Sequence, residues 1–114
     1  MARTAITVQK VALGGLTPSF AAADINGQYF SNDGNVLLEV KNAGAGAITV
    51  TITAVAKLAG VSLTNPAISV PLTNGDKMIG PFDPTVFNQS DGTVYVDYSG
   101  VTSVTVAAIQ LPNP

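Results

Sequence analysis

The stretch KNAGAGAITVTITAV, residues 41 to 55, decides how the chain is read. Ile48, Val50, Ile52 and Ala54 alternate with Thr49, Thr51 and Thr53, so a strand here has one apolar face and one face of hydroxyls. A helix drawn through residues 47 to 60 conflicts with their density of β-branched side chains, which favours a strand. An outward face normally carries Lys or Glu. This one carries no charge at all.

Working outward, residues 35 to 42 place Val36, Leu38 and Val40 on one face and Leu37, Glu39 and Lys41 on the other. The AGAG turn at 43 to 46 then makes residues 35 to 55 an expected β-hairpin. Upstream, Thr4 to Val8 reads as a first strand, with Ile6 and Val8 on one side. A loop-rich segment, 19 to 35, follows. It contains the turn formers Asn26-Gly27 and Asp33-Gly34 and is tethered by Phe20, Tyr29 and Phe30. Downstream, AISVPL (67 to 72) is demoted to an edge by Pro71, and Asn74-Gly75 turns the chain into KMIGPF. TVYVDYS (93 to 99) and SVTVAAIQL (103 to 111), joined around Gly100, form a second expected hairpin. About seven to eight short strands at such spacing describe one all-β domain over residues 1 to 114. The expected architecture is an antiparallel β-sandwich, jelly roll or small barrel, with residues 1 to 8 as first strand or N-terminal arm.

Composition narrows the chemistry. A chain of 114 residues buries roughly two thirds of its unfolded surface, enough for a core without cross-links. It has no Cys, His or Trp, which removes disulfides, thiolate metal sites, the usual general base and the usual zinc ligands. Charged residues are 11% of the chain and the net charge is −2, so no basic footprint for nucleic acid exists. The N-terminus lacks the apolar core of a secretory signal, and no apolar run approaches a membrane span. Neither nucleic acid nor membrane is therefore expected as a partner, and the chain reads as a soluble protein made inside a cell.

Candidate reactive groups fare poorly. Asp24, Asp33, Asp76, Asp83 and Asp91 sit beside Gly, Asn or Pro, where Asp builds turns, and Glu39 and Asp97 lie on outward strand faces. A paired-carboxylate hydrolase is the poorest reading. DINGQYFSNDGN starts like a calcium loop, with Asp24 and Asn26. It fails at Gln28 and at Tyr29, where Gly is required. Ser and Thr have no His to activate them, and Lys57 and Lys77 read as exposed. Tyr29, Tyr95 and Tyr98, with Phe82 and Phe87, would make a sugar- or base-stacking platform, but the sequence places no Trp or Arg beside them, and most of these rings read as core. No cofactor, metal or catalytic residue is expected.

The uncharged stretches are long: 11 to 23, 42 to 56, 58 to 75 and 98 to 114. Low charge promotes association, and Thr is cheaper to desolvate than Lys or Glu because no ion loses its water. Such a surface suits packing against protein. The competing account is a compact monomer with a Thr-rich face.

The segments ITVQKV, NDGNVLLEVKNAGAGAITVTITA and IGPFDPTVFNQSDGTVYVDYSGVTSVTVAAIQL together resemble small virion proteins of tailed bacteriophages, most of all head decoration (cement, or auxiliary capsid) proteins. The resemblance implies a non-enzymatic protein made in the host cytoplasm and placed on the capsid exterior. It would bind the major capsid protein as a homo-oligomer, a trimer being the expected count, and stabilise the shell. Expected capsid or subunit contacts are Ala2, Arg3, Thr4, Ile6 and Val8 in the N-terminal segment, Ile25, Asn26 and Tyr29 in the following loop, and Thr49, Thr51 and Thr53 on the neutral strand. The alternatives are a carbohydrate- or receptor-binding β-sandwich module and a neck or tail component.

Overall fold

The structure, a computed structural model, describes residues 3 to 111, with only the backbone of Leu58 and Ser62. Its strands are β1 (Thr4–Ala5), β2 (Val8–Lys10), β3 (Ala21–Ala22), β4 (Gln28–Ser31), β5 (Val36–Asn42) and β6 (Ile48–Ile52). After these come β7 (Lys57–Leu58), β8 (Val61–Ser62), β9 (Ala67–Val70), β10 (Gly75–Ile79), β11 (Thr93–Tyr98) and β12 (Val104–Gln110). One short helix, α1 (Pro84–Phe87), lies between β10 and β11. The first sheet has the order β1-β4-β11-β6-β9 and the second the order β10-β5-β12-β2, with β3 also on β12, while β7 and β8 pair only with each other.

The alternation of apolar residues places the core correctly. Phe30, Val50, Ile52, Val94 and Val96 from the first sheet meet Val36, Leu38, Val40, Val104, Val106 and Ala108 from the second in one buried cluster. Tyr98 joins them; its hydroxyl donates to Gln28 Oε1 at 2.8 Å, and burial, ahead of the nearby Asp97 charge, pushes its phenol up from the ordinary range. Phe82 packs 5.5 Å from Phe30 and 5.9 Å from Phe87, ring centre to ring centre.

Pairing departs from the expectation in three ways. First, β5 and β6 are not a hairpin: β5 pairs with β10 and β12, and β6 with β9 and β11. Second, β11 and β12 likewise lie in different sheets. An alternating strand reveals that it borders the core but not from which side. Here successive strands turn their apolar faces toward each other, so each connection arches across the roughly 10 Å between packed layers. Third, the sheets are mixed, because β1 runs parallel to β4 and β2 parallel to β12. The single strand expected over Thr4 to Val8 is thus split, one piece on each sheet, with Ile6 buried between them. The helix was also missed, although Asp83 followed by Pro84 is an N-cap signature; the Asp83 carboxylate accepts from Thr85 N–H at 2.9 Å.

Side chains and glycines hold the arches. Asn42 is 1% exposed; its Nδ2 donates to Gly46 O at 2.9 Å and its Oδ1 accepts from Gly44 N–H at 2.9 Å. The two arches touch, since Ala43 N–H donates to Ser103 O at 3.0 Å and a Cβ on Gly44 would stand 2.9 Å from Thr102 O. From β9 the chain crosses sheets again through Thr73 and Asn74, both at positive φ, and a Cβ on Gly75 would collide with the Pro71 carbonyl. Because Asn42 satisfies two backbone groups in a dry site, Asn42→Ala is expected to lower unfolding free energy by about 1–3 kcal/mol in urea titrations. A loss under about 0.5 kcal/mol, the range of an ordinary surface change, would contradict that role.

Candidate binding face on the first sheet

Alternation along β4, β11, β6 and β9 sends Phe30, Val94, Val96, Val50, Ile52 and Val70 inward and leaves a second set outward. On the outer face Tyr29 stands opposite Tyr95, Asp97 opposite Thr51, Thr51 opposite Ala67 and Thr49 opposite Ser69. Thr53 continues the row beside Tyr95, its N–H donating to Tyr95 O at 3.1 Å. The face is therefore aromatic at its β4–β11 end and built of methyl and hydroxyl groups at its β6–β9 end.

Arg3 crosses the aromatic end. Its guanidinium pairs with Asp97 (Nη1 to Oδ1 3.0 Å, Nη2 to Oδ2 3.2 Å), donates to Val96 O at 3.2 Å and lies 4.4 Å over the Tyr95 ring. Gly27 makes the crossing possible: it has φ +90°, and a Cβ there would strike Arg3 and Asp97. The neighbouring turn is tied down as well. Asp24 accepts from the Thr4 hydroxyl and, at 2.9 Å, from Asn26 N–H, and these bonds hold its carboxyl below the usual carboxylate range.

The expected contact residues divide accordingly. Arg3, Tyr29, Thr49, Thr51 and Thr53 come together on this one face. Thr4 and Asn26 are engaged by Asp24, and Ile25 stands at the turn's tip, 57% exposed. Ile6 is buried and Val8 packs against the core, so neither side chain is free for a partner. Ala2 lies outside the described residues. Tyr95, Asp97 and Asp91 lie at the same end of the sheet but were not among the expected contacts, although Tyr95 was named with Tyr29 as a stacking candidate. The i, i+2 spacing of Tyr95 and Asp97 on a strand was a signal for a shared face; Arg3 reaching Asp97 had none, because the partners are distant in sequence.

The outer face of the second sheet is different in kind. Asp76 stands opposite Lys41 and Met78 opposite Glu39, and the Lys41 ammonium lies 4.4 Å over the Phe20 ring. Among the described residues no group of three or more metal-ligating side chains exists. Asp83 and Asp91 are engaged by turns of their own, where the Thr85 and Thr93 hydroxyls hold their carboxyls below the usual range. Comparison with protein-family models, with curated proteins and with solved structures finds no match for the chain.

Glu39 carries a pH-dependent prediction. Partial burial, then the Asp76 hydrogen bond and charge, raise its carboxyl above the ordinary value of 4.5. The folded protein thus binds this proton more tightly than the unfolded chain does, and stability rises as pH falls through the window between the two values. Glu39→Gln removes the penalty present above that window. It should stabilise the protein near neutral pH by less than about 1 kcal/mol, the site being partly exposed, and the gain should vanish by about pH 3. Thermal melts of both proteins across pH check this, and an advantage that persists in acid would contradict it.

Proposed function

We propose that this chain is a non-enzymatic structural protein of a tailed-phage virion, most like a head decoration protein, which binds the capsid exterior as an oligomer. We further infer that its sheets form an eight-stranded sandwich of jelly-roll winding. The pairing pattern supports the fold reading. β3 pairs with β12, β4 with β11, β5 with β10 and β6 with β9, all antiparallel, as one long ribbon would. Rolling that ribbon so that β5 also meets β12 and β6 meets β11 gives the double-sheet jelly roll, a fold used by capsid and lectin domains. The shortest dimension, 24 Å, suits two layers with their outward side chains.

A fold alone does not assign a function. The observation that carries the proposal is the neutral field of Thr49, Thr51, Ala67 and Ser69, which runs to the open edge of β9 in a stretch, 58 to 75, without a charged residue. Natural proteins blunt open edges with charge, and the β10 edge of the second sheet carries Asp76 and Lys77 in that way. The β9 edge has only its flanking Pro66 and Pro71, which confine the bare strand to four residues. A face so cheap to desolvate, beside a short edge that carries no charge, fits cover by a second copy or by the shell.

Truncating the N-terminus would take Ile6 out of the core, so a surface charge is the cleaner probe. The purified protein is expected to be an oligomer by light scattering and to co-sediment with expanded phage heads at a saturating, symmetry-related copy number. Ser69→Lys should leave the thermal midpoint unchanged and weaken both interactions by about tenfold or more. A monomer that ignores the heads would overturn the proposal.

A further inference from the structure

The aromatic end of the first sheet is not explained by a neutral packing surface. Arg3, Tyr29, Asp91 and Tyr95 line a groove of about 430 Å³, against about 270 Å³ for the depression beside Lys41 and Asp76 and about 320 Å³ for the one beside Asn32 and Gln110. That volume lies within the range of small-molecule clefts. We infer that this groove is a saccharide site, taking a neutral pyranose unit stacked on Tyr29 beside Tyr95 and held through its hydroxyls by Asp91.

The groove's unused chemistry points there. Tyr29 and Tyr95 stand directly opposite on β4 and β11, both partly buried, on a sheet face whose β6–β9 half is made of small side chains. Among the described residues neither phenol hydroxyl has a hydrogen-bond partner and no ring or cation stacks on Tyr29, whereas Tyr95 carries the Arg3 guanidinium. Thr93 engages one oxygen of Asp91, Oδ1, through its N–H at 3.2 Å and its hydroxyl at 2.6 Å, which fixes the carboxylate and leaves the other oxygen for a ligand.

Charge then selects the ligand class. Arg3 is neutralised by Asp97, so Asp91 leaves the groove net negative, and phosphate, sulfate or carboxylate ligands are disfavoured. What fits is a molecule with an apolar face for a ring and several hydroxyl donors for a carboxylate. A pyranose has both: its C–H face stacks, and adjacent hydroxyls donate to Asp91 while ring and hydroxyl oxygens accept from the tyrosines. A proline-rich peptide also stacks on paired tyrosines, but proline has no N–H to offer the carboxylate. The inference does not depend on the virion reading, since it stands on this groove alone.

The test is an amide-shift NMR titration of the full-length protein with neutral hexose trisaccharides of gluco, manno and galacto configuration, alongside a polyproline peptide. At least one trisaccharide is expected to shift the signals of Tyr29, Thr93 and Tyr95. Tyr29→Ala and Asp91→Asn should each weaken it by about tenfold or more, while Thr51→Ala leaves it unchanged. Retained signal dispersion in both variants separates lost binding from lost folding, and Tyr29→Phe, which keeps the ring, should retain most of the affinity. No shift with any trisaccharide, shifts mapping to another surface, or binding of the peptide instead would overturn the inference.

Discussion

Successive long strands of this chain face each other across a shared core, so the connections between them must arch from sheet to sheet. β4 to β5, β5 to β6, β9 to β10, β10 to β11 and β11 to β12 all make that crossing. An arch leaves backbone groups that no ladder can satisfy, and the chain meets this with buried Asn42, with positive φ at Thr73, Asn74 and Ser103, and with glycines where a Cβ has no room. The N-terminal segment completes the closure, β1 extending the first sheet and β2 the second while Ile6 enters the core between them. Because both sheets share one core, neither outer face contributes to it, and each is free to serve another purpose.

The two outer faces have diverged within that freedom. The second sheet carries Glu39, Lys41 and Asp76, the mixed charges of a surface meant to stay in water. Among the described residues the charges of the first sheet gather at one end, where Arg3 and Asp97 neutralise each other and Asp91 lies beside them, and the β6–β9 half is left bare. Exposure of such a face to water costs little, and so does its removal from water. The proposed role in assembly rests on that asymmetry more than on any single residue, and the same asymmetry separates the neutral half from the tyrosine groove beside it.

Much of this was legible in the sequence, and what was not has a physical reason. Period-two alternation identified Val36, Leu38, Val40, Ile48, Val50 and Ile52 as core because burial on a strand is a local property. Pro71 marked the end of an edge strand for an equally local reason, the missing N–H. Pairing is not local. The same alternation fits a hairpin and an arch, so the AGAG connection was misread, and so was the one around Gly100. The uncharged face followed from Thr49 and Thr51 alone, yet its extension through Ser69 and Ala67 required the register of β6 on β9. Of the five rings named as a stacking platform, which ones share an outer face was hidden for the same reason, since Tyr98 and Phe82 are core. Tyr29 and Tyr95 meet only through the β4–β11 pairing, and the Arg that the sequence lacked beside them arrives from position 3.

In the proposed role, the β6–β9 half of the first sheet is covered by protein. Hydrogen–deuterium exchange tests it directly, comparing dilute free protein with protein bound to expanded phage heads. Cover of that half adds protection at the β9 amides that point away from β6 and around Thr49 and Thr51, with little change along β10. Protection confined to Asp76, Lys77 and Met78 instead, with β9 exchanging as freely as before, would place the interface on the charged sheet and rule out cover of the neutral one.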